Sequence, residues 1–189
     1  MKVKKLFGGV SLIMFIVTNL HAQNYDSIKA ELEKDYFIMT TLRESIWPTF
    51  KKYGIRSRQV DSLNSLIQKF DQRTLDQTTF IIDQYGWLGK SQIGADANAA
   101  LFLIVQNAKE NKIREKYYPL LEKSAMLKES NLPDMASMKD KILVGNGKKQ
   151  LYGTQRTLGG KLYPVEDPRH LNDRREQVWL RRLSRKEMK

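Results

Sequence analysis

Ala95 to Ala108 is apolar on nearly every face, through Ala97, Ala99, Ala100, Leu101, Phe102, Leu103, Ile104 and Val105. A helix of this kind is stable only when other elements cover it on all sides. The chain must therefore wrap a layer around one central helix, and the rest of the sequence supplies helices for the purpose. Ile28, Leu32, Tyr36, Met39, Leu42, Ile46 and Phe50 recur at spacings of 4, 4, 3, 3, 4 and 4, one continuous helical stripe that Pro48 and Gly54 end or kink. Ser57 opens a second helix with Val60, Leu63, Ile67 and Phe70 inward. The period slips near Arg73, and a further helical run carries Leu75, Thr79 and Ile82.

Gly86 to Gly94 holds three glycines and reads as an ordered loop before the central helix. Asn111 to Glu129 forms the next helix, kinked or restarted at Pro119, and Pro133 starts another that stops at Gly145-Asn146-Gly147. The character then changes. Gln150–Gln155 and Lys161–Val165 flank Gly159-Gly160, which predicts a short hairpin or two extended arms, with Pro164 confining its strand to an edge. Asp173 and Glu176 resemble a capping box for a terminal helix that carries Val178, Trp179 and Leu183. The expected fold class is mainly α: a single compact multi-helix domain with a short extended or β-hairpin segment near the C-terminus. At 189 residues and 41% hydrophobic, one domain with a real core is the default.

The first residues read as an address. Lys2, Lys4 and Lys5 precede an apolar run of 12 residues, Leu6 to Val17, and a more polar stretch to His21-Ala22. This is a secretory signal peptide with cleavage expected after Ala22. The other reading is an uncleaved anchor, for which the run is short of the ~20 residues that span a bilayer. The expected parts are a signal peptide at 1–22, an N-terminal helix at 23–56 packing on the domain, and a helical domain at 57–189 with an arm at 150–168 and a basic terminal helix. The mature protein is expected outside the cytoplasm, periplasmic or secreted, with no transmembrane segment. Loss of residues 1–22 removes three lysines and no acid, leaving 167 residues, a net charge of +9 and His170 as the one histidine. His-rich metal sites are thereby excluded, and the absence of Cys excludes disulfides, thiolate metal sites and thiol nucleophiles. No metal and no cofactor are expected.

Of the positive charge, +5 falls between Arg174 and Lys189. One reading is a patch for an anionic polymer of the cell envelope; the other is a solvated terminal helix with a basic end. Nucleic acid fits poorly, because no basic face with interleaved aromatics appears and the compartment is wrong.

Tyr85-Gly86-Trp87-Leu88-Gly89, Ala100-Leu101-Phe102-Leu103 through Gln106-Asn107-Ala108, Gln150-Leu151-Tyr152-Gly153-Thr154-Gln155, and Pro164-Val165-Glu166-Asp167 followed by Arg174-Arg175 occur in this order. The ordered set resembles a bacterial domain-of-unknown-function family, number 6624, over about Asp61 to Leu183. The resemblance implies a mostly helical exported or envelope protein and brings no activity with it. Family members often carry His where this chain has Asn107, so a mechanism using that His as a base would not operate here.

Three polar groups are candidates for ligand binding. Asp83 and Asp96 flank the loop that carries Trp87; they face a cleft, or Trp87 plugs the core and Asp96 supports the first turn of the central helix. Gln106 and Asn107 end the apolar helix; they bond the backbone of the extended region, or they point into a pocket. Tyr152, Thr154 and Gln155 share the C-terminal region with Glu166, Asp167, Arg174 and Arg175. There carboxylates serve as acid and base while Arg binds an anion, or the arginines pair with Glu166 and Asp167 and pin the arm. Paired carboxylates suit glycosidic cleavage only at the proper separation. The Trp87 loop is no phosphate cradle, for it lacks the G-x-x-x-x-G-K-[ST] spacing, and a serine triad is formally possible with His170 as its base but has no G-x-S-x-G string behind it. The leading expectation is a non-enzymatic binding domain for a partner protein or envelope polymer. The rival is a hydrolase using the Asp83/Asp96 and Glu166/Asp167 carboxylates. A third reading has the arm add a strand to another chain.

Overall fold

The computed structural model describes residues 8–157 and 159–188, with side chains from Tyr25 onward. The lysines at 2, 4 and 5 and the side chains of the expected leader lie outside the described residues. The elements are α1 (Gly8–Glu44), α2 (Ile46–Tyr53), α3 (Arg58–Tyr85), α4 (Lys90–Gln106), α5 (Asn111–Met126), α6 (Leu132–Gly145), a 3-10 turn (Pro168–His170) and α7 (Leu171–Gln177). The protein is mainly helical. No described helix is long and apolar enough to cross a membrane.

Helix α4 is the centre, as its composition demands. It touches α1, α3, α5 and α6, and Ile93, Ala97, Ala100, Leu101 and Val105 are wholly buried. Each large side chain so covered stabilises the fold by roughly 1.5–3 kcal/mol. The helix opens sooner than expected, at Lys90, where Gln92 Oε1 accepts the Gly89 N–H at 2.9 Å. It bends at Gly94, whose φ of 81° would strain any residue with a β-carbon. The glycine-rich loop is therefore half loop and half helical turn.

Helix α1 buries Ile28, Leu32 and Met39 against this centre. The stripe continues to Phe50 in the sequence, yet α1 ends at Glu44 and α2 begins at Ile46. Pro48 explains the position of the break. In an unbroken helix its ring would clash with the carbonyl four residues earlier, which belongs to Glu44. Helix α3 starts as expected, with Ser57 Oγ accepting the Val60 N–H at 3.3 Å. It runs without interruption past Arg73, because Thr74 and Thr78 fill the inward positions. The Thr74 hydroxyl donates back to the Phe70 carbonyl at 3.0 Å, which satisfies its polarity within the helix.

The extended region departs from expectation. Among the described residues there is no strand; two isolated bridges remain, Gln150 with Val165 (parallel) and Arg156 with Leu162 (antiparallel). The hairpin fails to form because three backbone N–H groups of the first arm, at Leu151, Tyr152 and Thr154, are taken by the Asp140 carboxylate of α6. The terminal helix is also shorter than expected. Helix α7 ends at Gln177, and Asp173 lies inside it rather than capping it. Trp179 adopts φ 58° and turns the chain back. Asn172 then holds the tail, donating to the Leu183 carbonyl at 2.9 Å and accepting its N–H at 2.7 Å. Leu162, Leu171 and Leu183 form a small second core under the arm.

Candidate functional site

The polar residues of the arm converge, and they converge on one another. Asp140 is wholly buried. Its carboxylate accepts the N–H groups of Leu151 (2.7 Å), Tyr152 (3.0 Å) and Thr154 (2.9 Å) and the Thr154 hydroxyl (2.9 Å). Gln150, also wholly buried, donates from Nε2 to the carbonyls of Gln155 (3.0 Å) and Tyr163 (2.9 Å) and accepts the Gln155 N–H at 2.8 Å. Gly153 sits between these grips at φ 64°, and a β-carbon there would lie 3.3 Å from the Leu171 side chain.

The two arginines complete the clamp. Arg174 donates to the carbonyls of Leu151 (2.8 Å), Glu166 and Asp167 (3.1 Å). Arg175, buried, donates to Tyr152 O at 2.6 Å, Gly153 O at 3.3 Å and Arg181 O at 2.7 Å. They pin the arm through its carbonyl oxygens rather than through the carboxylates of Glu166 and Asp167. Burial lowers the Arg175 pKa, and the nearby Asp140 charge works in the opposite direction. The Tyr152 phenol is pushed up, chiefly by burial and then by the Asp140 and Glu122 charges, so it holds its proton. Gln155 donates from Nε2 to the Ser137 carbonyl at 3.3 Å, and Gln106 donates to the Ser137 hydroxyl at 3.3 Å. Gln106 thus reaches the arm through Ser137, not directly.

The Trp87 loop forms a separate knot. Trp87 is buried and donates from Nε1 to Ser130 Oγ at 3.1 Å. Asn98 donates to the same hydroxyl at 3.0 Å and to the Leu88 carbonyl at 2.8 Å. Asp83 is exposed and takes Lys116 Nζ at 2.9 Å and the Tyr117 hydroxyl at 3.1 Å; the Lys116 hydrogen bond leads in holding its pKa below the usual carboxylate value. Asp96 is exposed in the turn after the α4 bend. Along α4, Asn98 and Gln106 are eight residues apart, about 12 Å of helix, and no hydrogen bond joins the two knots among the described residues. Asp167 pairs with His170 at 2.6 Å and lies low in pKa for that reason first. Glu166 is exposed.

Of the candidates, Asn107 lines an open groove. It has a volume of about 440 Å³ and lies between α3 and the end of α4, bordered by Gln68, Asp71, Gln72, Asn107 and Lys109 over a floor that includes Leu75 and Ile104. Asp71 is held by a two-pronged ion pair from Arg43 of α1, at 2.9 and 2.8 Å. Below the groove's end Arg114 is buried and donates to the carbonyls of Gln106 and Ala108, closing the C-terminus of α4 with a cation. Lys141 faces Arg114 and Arg43, and burial first, then those charges, lower its pKa. No group of three or more metal-binding side chains converges among the described residues.

Sequence reasoning passed over Asp140, Asn98, Ser130 and Asp71. Asp140 carried a signal: it stands four residues after the wholly buried Ala136 and so shares its face of α6. An acid on an inward face requires a buried partner.

An all-helical domain whose C-terminal arm is fastened by buried side chains is the class that this arrangement defines. The chain belongs to the family of unknown function DUF6624, whose sequence profile matches residues 30–187. The match reaches back into α1, well before the Asp61 from which the resemblance was read. No curated protein and no solved structure matches the chain.

Proposed function

We propose that the chain is an exported envelope protein that binds rather than reacts, and that its ligand is an envelope polymer seated in the groove at Asn107. The observation that carries this reading is a contrast in engagement. The arm's polar residues hold the arm itself, while Gln68 and Asn107 border open space and Gln72 beside them donates to Asp76 of the same helix at 2.8 Å. Carboxamides beside the Asp71–Arg43 pair and Lys109 suit the hydroxyl and amide groups of a polymer strand, which both donate and accept. A hydrolase built on Asp83, Asp96, Glu166 and Asp167 has less behind it. A general acid needs a raised pKa, whereas Asp83 and Asp167 are exposed and held low by cationic partners.

The test is an amide-shift titration of the full chain with soluble cell-wall polymer fragments. Shifts are expected at Gln68, Gln72, Asn107 and Lys109, and Asn107→Leu should weaken the affinity about tenfold, the worth of one well-placed hydrogen bond to a polar ligand. Release of shortened fragments would establish the hydrolase instead. An undisturbed groove with a protein captured elsewhere would move the function to a partner surface.

A further inference from the structure

The sixteen residues from Ser45 to Val60 contain Lys51, Lys52, Arg56 and Arg58 and no acid. This run includes α2, a helix with no buried residue. Ile46, Phe50 and Tyr53 are spaced four and three apart and so share one face. Trp47 stacks on Phe50 with ring centroids 5.1 Å apart, which widens that face. The face is half open: Phe50 at its centre is partly buried, while Trp47 is 60% exposed, Tyr53 46%, and Ile55 in the following turn 68%.

The cations here differ from Arg181 and Arg182 of the C-terminal tail. In the tail Arg181 is paired with Glu187 and Arg182 with Glu176. Among the described residues no carboxylate lies within ion-pair distance of any of the four cations of the Ser45–Val60 run. Lys51 lies over the Trp47 ring at 5.4 Å and Lys52 over Tyr53 at 5.0 Å. Aromatic rings at the helix surface with lysine stems running alongside them is the arrangement that suits a boundary between hydrocarbon and phosphate.

We infer that α2 and the turn after it dock on an anionic lipid bilayer. The helix lies in the headgroup layer, with Ile46, Trp47 and Phe50 toward the acyl chains and the unpaired lysines and arginines on lipid phosphates. Charge complementarity selects this occupant: an acid-free run of four unpaired cations beside an aromatic face matches a phosphate-covered hydrocarbon better than it matches a second copy of the same positive surface.

The experiment uses the full chain with Trp179→Phe, which leaves Trp47 and the buried Trp87 as fluorophores. Because Leu6–Val17 has its own affinity for bilayers, position 47 is read rather than whole-chain partition. Vesicles of phosphatidylcholine, with or without phosphatidylglycerol, carry brominated acyl chains as quenchers. Quenching is expected with phosphatidylglycerol vesicles and should vanish when Trp47→Phe is added. Lys51→Glu with Lys52→Glu should lower the apparent affinity at least about tenfold, given ~1 kcal/mol per cation near an anionic surface. The same pair should leave the melting temperature within about 2 °C, as expected for exposed positions. Equal quenching without phosphatidylglycerol, or quenching that survives Trp47→Phe, would overturn the inference. So would an unquenched Trp47 in a chain that dimerises through it by sedimentation velocity.

Discussion

The arm at 150–168 and the α2 end of the molecule are both polar-rich, and they use their polar groups in opposite ways. Around the arm, Asp140 of α6, Gln150 of the arm itself and Arg174 and Arg175 of α7 each hold two or more backbone groups. A segment without regular secondary structure must still satisfy its N–H and C=O groups, and here side chains do what a sheet would do elsewhere. At α2 the helix satisfies its own backbone, so its side chains are free to face outward. The lesson is that a dense polar motif can be scaffold, and a plain basic-aromatic stretch can be the exposed working surface.

The largest effect should come from breaking the clamp at its centre. Asp140→Ala leaves three half-buried N–H groups and a hydroxyl without an acceptor, at roughly 1 kcal/mol each. A loss of about 4 kcal/mol is expected, which lowers the melting temperature on the order of 10 °C. Asp140→Asn keeps one acceptor oxygen and should fall between. Thermal denaturation followed by circular dichroism decides the matter, and a near-neutral Asp140→Ala would mean that the arm is held by something else.

A smaller effect is expected at the other internal knot. Asn98 is buried and its amide joins the Leu88 carbonyl to Ser130. Asn98→Ala should cost about 2 kcal/mol, the worth of two buried partners left short. Chemical denaturation would measure it with an unchanged slope if the fold is otherwise kept. If Asn98→Ala cost more than Asp140→Ala, the Trp87 loop and not the arm would be the better-fastened region, and the comparison would need to be redrawn.

Much of the helical frame was legible from the sequence. The apolar run at 95–108 is buried in α4, Ser57 caps α3, and Pro133 opens α6. These features are local, and a periodicity or a cap is visible in a single chain. The break between α1 and α2 was half visible: Pro48 stood out, but its clash falls four residues earlier. Of the two readings of the arm, hairpin or extended arms, the hairpin does not form, because two extended stretches around a glycine pair say nothing of their partner. That partner is a carboxylate on a helix at least 11 residues upstream. The candidate site suffered from the same blindness. Tyr152, Thr154, Arg174 and Arg175 could be read either as chemistry or as pins for the arm, because a buried structural hydrogen bond and a catalytic one need the same residue types.

The smallest effect separates the arm's rim from its centre. His170 Nδ1 lies 2.6 Å from Asp167 Oδ2, and both side chains are exposed. The hydrogen bond that the protonated imidazole donates to Asp167, then the charge of Asp167, raises the His170 pKa above 6.5, and the same pair holds Asp167 below 3.8. A raised histidine pKa stabilises the fold below the unfolded value and loses that contribution as pH rises through the folded one. A depressed aspartate contributes above its unfolded value and loses the contribution as pH falls through the folded one. The pair is therefore worth most between about pH 4 and pH 6.5. Solvent screens it, so global melting should hardly move. A proton NMR titration should show one imidazole with a pKa above 6.5 that returns toward 6.5 in Asp167→Asn and in high salt. The response to Asp167→Asn assigns the resonance, because His21 is the sole other histidine of the chain. A His170 that titrates at or below its ordinary value would show the rim to be loose. The clamp would then end at Arg174, which grips the arm from the carbonyl side, and not at the carboxylates that the sequence put forward.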